Sequence, residues 1–251
     1  MLALTPALSA GRGRPRPRFL FLLAVVCAYC ATPLALSAAR NDGWQNALAQ
    51  MPIPSQIAEL NRSNCVKVML GAFQSNHVIK ALIFMPGATD EFYMFRRAKA
   101  QLTNASPSLL DAVAALTNQT LIRVTFHSPF LLLHTDEDPL VPLSRVENES
   151  TAENLKVRRF VPQVLYNDRD WDFVQPILAK RLGVDVRPWK QSYDSWHFYR
   201  HSFAACDLNG WEALEVVALA GKSKFTVRWH KVVFEGDERV RATPKLDVFP
   251  R

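Results

Sequence analysis

Apolar and polar positions change period several times along residues 40–251, and each change marks an element. A short helical lead-in at 40–62 breaks at Met51-Pro52-Ile53-Pro54. CVKVMLGAF (65–73) and HVIKALIFM (77–85) are dense in β-branched and aromatic residues and read as strands, the second closed by Pro86-Gly87. EFYMFRRAKAQL (91–102) is a third extended stretch. Ser106 then supplies an N-cap and Pro107 a first helical residue, with Leu109, Leu110, Val113 and Leu116 on one face of a helix reaching about Asn118. TLIRVTF (120–126) and FLLLHTD (130–136) flank His127-Ser128-Pro129 as a hairpin.

The stretch 139–159 is polar and mixed in charge, which suits a linker with at most a short helix. A second cycle follows. It comprises a strand at 160–166, a helix from about Asp170 to Leu182, an extended run at 184–189 and a strand at 195–208. Pro176 is tolerable in that helix only near its first turn. Asn209 to Glu212 forms a capping-box start, Gly221 is the expected left-handed stop, and strands at 224–229 and 231–237 close the set.

The two cycles align. DEFYMFRRAKAQL from Asp90 lies over DSWHFYRHSFAAC from Asp194, matching Phe92 with Trp196, Phe95 with Tyr199 and Arg96 with Arg200. Leu110, Val113 and Ala114 meet Leu214, Val217 and Ala218. The shared order strand, cap, helix, strand, strand predicts a duplicated unit. The expected architecture is therefore α+β, with two related halves, each a small mixed sheet packed by one or two helices. The boundaries are 40–138 for the first unit, 139–159 for the linker and 160–251 for the second.

Charge changes this picture little. The chain carries a net +7, but Arg12, Arg14, Arg16 and Arg18 contribute four of those charges, so +3 remains from Arg40 onward. A balance that small gives no nucleic-acid signal. The four arginines precede FLFLLAVVCAYCATPLALSAA, a basic, apolar and small-residue succession that reads as a signal peptide over 1–39. The expectation is a periplasmic or extracellular protein, with an uncleaved anchor as the alternative. Cys65 and Cys206 are the cysteines left after cleavage and could pair in an oxidising compartment.

Candidate chemistry is sparse. His197 and His201 stand four apart, as zinc ligands on a helix do, but the stretch reads as a strand, where that spacing separates them by roughly 13 Å. Their counterparts Tyr93 and Arg97 are not ligands, so both histidines are read as structural. Asp168, Asp170 and Asp172 alternate as in a calcium loop but lack its turn glycine and its distant glutamate. No metal, cofactor or catalytic residue is expected. Phe130, Leu131, Leu132 and Leu133 form a run that must be covered on both faces or lie at an interface. They are the candidate binding residues, covered by the other half or by a partner chain, with strand addition at an open edge as one route.

Ala105, Leu109, Ala112, Leu116, Thr120 and Val124 carry a pattern that resembles the secretin and TonB short N-terminal domain. The resemblance covers 98–136 and, more weakly, 202–237. Leu121 stands where that family usually has glycine, and the second copy reads Gly221-Lys222-Ser223. The resemblance implies a small periplasmic α+β module that makes protein contacts, either with partners or by self-association, and has no catalytic residues. Two other readings compete. One is a metal-dependent hydrolase using His127, His134 or His197, and the other a small-ligand or glycan binder using the aromatic residues at 196–199.

Overall fold

A computed structural model describes residues 43–61, 63–85, 99–134, 144–159, 164–169, 171–188 and 201–236. The segment read as a signal peptide, residues 91–98 of the third extended stretch and the aromatic residues 196–199 lie outside these residues. The fold is mixed α+β. The first run of elements is helix α1 at 43–49, β1 (Glu59–Leu60), α2 (Cys65–Ala72), β2 (Ala81–Phe84), β3 (Ala100–Gln101), α3 (Leu109–Gln119), β4 (Arg123–His127) and β5 (Phe130–His134). Next come β6 (Ser144–Val146), α4 (Glu149–Val157), β7 (Val164–Arg169), α5 (Trp171–Leu182) and β8 (Asp185–Pro188). The chain continues with β9 (His201–Ala205), α6 (Gly210–Ala220), β10 (Ser223–Arg228) and β11 (Lys231–Gly236).

A five-stranded sheet in the order β4-β5-β2-β9-β7 forms the centre. It mixes strands from before and after 139–159, and β6 and α4 lie within that stretch. Its middle strands are buried on both faces, which explains their unbroken apolar runs. Ala81, Ile83, Phe130 and Leu132 face one core, while Leu82, Phe84, Leu131 and Leu133 face the other. The second core is closed by α1, α2 and α3. The first core joins the sheet through α4, α5 and α6 to a four-stranded sheet of order β6-β10-β11-β8. Helix α6 is buried at Ala213, Leu214, Val216, Val217, Ala218, Leu219 and Ala220, the all-round burial of an interior helix.

Several sequence expectations shift. Residues 65–72 form α2, not a strand: Cys65, Met69 and Leu70 recur at helical spacing and bury together, so packing overrides the β-preference of Val66 and Val68. The cap of α3 is Ser108, not Ser106. Its hydroxyl accepts from the Asp111 N–H at 3.2 Å, and Asp111 accepts from the Ser108 N–H at 2.7 Å. Gly221 has φ −99°, and the left-handed residue is Lys222 at 46°. Pro176 lies beyond the first turn of α5, where it forfeits the bond to the carbonyl four residues back.

The two runs share pairings as well as order. β2 pairs parallel with β5, as β8 does with β11. β4 with β5 and β10 with β11 are antiparallel hairpins. β1 with β3 and β7 with β9 are also antiparallel. The N–H of Leu109 at the start of α3 donates to Met51 O at 2.8 Å, and that of Gly210 at the start of α6 donates to Arg158 O at 2.8 Å. Both helices begin with a capping box, Ser108 with Asp111 and Asn209 with Glu212. Matching the boxes places Val113, not Leu110, opposite Leu214.

Candidate functional site

Three elements converge on a cleft of about 440 Å³. The first is α4, started by Asn148, whose side chain accepts from the Thr151 N–H at 2.8 Å. This helix buries Thr151, Ala152 and Leu155 and ends with Val157 at 80% exposure. Arg158 follows in extended conformation, so its side chain leaves the helix and donates through Nη1 to Leu182 O, an open carbonyl at the end of α5. The second element is that helix end. Gly183 has φ +63°, a backbone that favours glycine, and a Cβ there would lie 2.6 Å from Arg158 Nη1, so a side chain would also push the guanidinium aside. The third is the β10–β11 turn, where His230 has φ 47° and its carbonyl accepts from the Asp185 N–H at 2.8 Å.

The walls combine Leu155, Leu182 and Val184 with Thr151, Asn154, Arg158 and His230. Among the described residues, no carboxylate lines the cleft. Nearby acids already have cations: Glu153 is 2.7 Å from Lys156, Asp207 2.7 Å from Arg159 and Asp185 2.6 Å from Arg187. Trp229, next to His230, is 75% exposed. Among the described residues, Leu121 and Phe173 are the other exposed large hydrophobics, at 48% and 41%. The corresponding turn in the first run, between β4 and β5, carries Ser128 and Pro129 instead.

A second polar cluster joins the two runs. Lys80, just before β2, reaches both carboxylate oxygens of Glu212, at 2.7 and 3.0 Å. Glu212 also closes the α6 capping box by accepting from the Asn209 N–H at 2.8 Å. One turn on, Glu215 accepts from the Trp211 indole at 2.9 Å. Burial pushes its carboxyl above the usual glutamate range, with the neighbouring Glu212 charge acting the same way, against the Trp211 hydrogen bond and His127. A raised acid pKa means that the ionised form weakens the fold above the ordinary glutamate value, while below it both states are protonated and nothing is lost. Glu215→Gln keeps an acceptor for Trp211. It should raise the melting temperature at pH 8, with the gain vanishing by about pH 4. Equal gains at both pH values would contradict this origin.

The sequence candidates are dispersed. Phe130, Leu131, Leu132 and Leu133 are at most 2% exposed, in a strand flanked on both sides by β4 and β2. The edge of the sheet on that side is β4. His127 and His134 sit at opposite ends of the β4–β5 hairpin, and His134 Nε2 lies 2.8 Å from Thr125 Oγ1. His201 is interior, its ring 6.0 Å from that of Trp171. His197 lies outside the described residues, among which no group of three His, Cys, Asp or Glu is placed to hold a metal ion. Cys65 and Cys206 are free thiols, and burial pushes Cys65 up to about 12. No described helix is long and apolar enough to cross a membrane.

No protein-family model, curated protein or solved structure matches the chain. The sequence reading missed Val157, Arg158, Trp229 and His230. One signal pointed to them: a tryptophan closing a strand immediately before a histidine turn, where the other run has Ser128-Pro129.

Proposed function

We propose that the chain is a non-enzymatic protein-binding or assembly module of a bacterial cell envelope, exported through its N-terminal segment. It would dock its partner at the cleft between α4, the end of α5 and the β10–β11 turn. The observation that carries this reading is the exposure of Val157 and Trp229 beside a concave, partly apolar cleft. Large apolar groups left in water around a cavity suit a contact surface better than a scaffold. The resemblance of 98–136 to the secretin and TonB short N-terminal domain supports the same class. The shared pairings of the two runs support their origin by duplication, with the second copy diverging at its turn to build the docking surface.

The test is a photo-crosslinking amino acid placed at Val157 or Trp229 in the native cells, with Leu121 as the exposed control. A discrete protein adduct from 157 and 229, absent from 121, is the expected result. Adducts from none of these positions, or equally from all three, would refute the reading.

A further inference from the structure

The geometry points to the chemistry of the docked partner: the cleft takes the C-terminal carboxylate of a protein chain whose last residue is apolar. This rests on the docking reading and adds the recognised group to it. Among the described residues, the cleft's ionisable lining side chains are the Arg158 guanidinium and the His230 imidazole, and Glu153, Asp207 and Asp185 are ion-paired with other cations. A ligand that balances this charge is an anion. Arginine has five N–H donors, and here one of them caps α5 at Leu182 O. The remaining donors keep the fork geometry that matches a carboxylate. The His230 ring makes no hydrogen bond within the described residues, and the turn places it in the lining of the same cleft.

The other walls exclude a bare inorganic anion as the best occupant. Val157 and Val184 offer apolar surface above the buried Leu155 and Leu182, which a terminal Leu, Val or Phe side chain would cover. About 440 Å³ is at the small end of ligand-sized cavities, roughly 300–1,000 Å³, and suits a chain end better than a long segment. Upstream residues of the partner would then lie across the exposed Val157 and Trp229.

The experiment uses labelled hexapeptides of mixed interior sequence ending in Leu, Val or Phe, each made with a free carboxylate and as the C-terminal amide. Fluorescence anisotropy against the full chain reads affinity. The carboxylate forms should bind at least tenfold more tightly than the amides. His230→Asn, whose new residue tolerates the left-handed backbone, should weaken them several-fold with an unchanged melting temperature. Arg158→Gln should weaken them further. Equal binding of amides and carboxylates overturns the carboxylate assignment while leaving a docking cleft in place. Indifference to both variants moves the site elsewhere and also overturns it. Free hexanoate or phenylpropionate competing as tightly as the peptides would replace the chain end by a small-molecule acid. Failure of every peptide, with crosslinks from 157 and 229 retained, sinks this inference alone.

Discussion

Leu132→Lys is expected to abolish cooperative folding. Leu132 pairs with Ile83 on one side and Thr125 on the other, and it faces the core that contains Phe203, Leu214 and Val217. Removing a buried leucine side chain costs about 2–5 kcal/mol. Placing an ammonium in its position adds several kcal/mol, because a buried charge needs a paired partner. Together these approach the entire stability of a typical domain, about 5–15 kcal/mol. Urea titration of the variant should show no sigmoidal transition, and most of the protein should be insoluble. Leu121→Lys, at a half-exposed position, should melt as the wild type does. A cooperative Leu132→Lys protein would mean that β5 is not an interior strand.

Gly210→Val should produce the second large loss. Gly210 opens α6, where a Cβ would lie 2.8 Å from the Leu155 carbonyl oxygen and 3.0 Å from Leu182 Cδ2. The closer contact is backbone, so α4 must move against α6 to relieve it. Helix propensity argues the other way, since glycine is the poorer residue by less than about 1 kcal/mol. Overpacking costs typically about 1–3 kcal/mol, so the steric effect wins, and valine should exceed alanine. Because Leu155 and Leu182 also line the cleft, the same substitution should distort the proposed docking surface. Denaturant midpoints for Gly210→Ala and Gly210→Val check the order. A stabilising Gly210→Ala would show that α4 and α6 are not held this closely.

The sequence carried the α+β class and most strand positions because alternating or continuous apolar runs survive into the structure, as in ALIF at 81–84 and FLLL at 130–133. Capping chemistry was legible too, since Asn209 and Glu212 close their box as their spacing implies. Helix α2 was hidden by Val66 and Val68, whose local preference loses to the burial of Cys65, Met69 and Leu70. The helix register between the two runs was hidden because the aligned residues are all small or aliphatic. Only the capping boxes fix it. The cleft was not legible for a different reason: Val157, Arg158, Gly183 and His230 come from three separate elements, and their meeting depends on Arg158 turning out of α4 to cap α5. Phe130–Leu133 form an apolar run because β5 lies inside a sheet covered on both faces.

On the proposed reading, Val157 and Trp229 serve a partner and not the fold. Val157→Ser combined with Trp229→Ser separates the two, since both side chains are largely solvent-exposed. Native gel electrophoresis of gently solubilised envelope extracts reads the result, with thermal melting of the purified chain as the companion measurement. The expected result is an unchanged melting temperature, with the wild type migrating in a larger assembly and the double variant as the free chain. A double variant that remains in the assembly, with its fold intact, would contradict it.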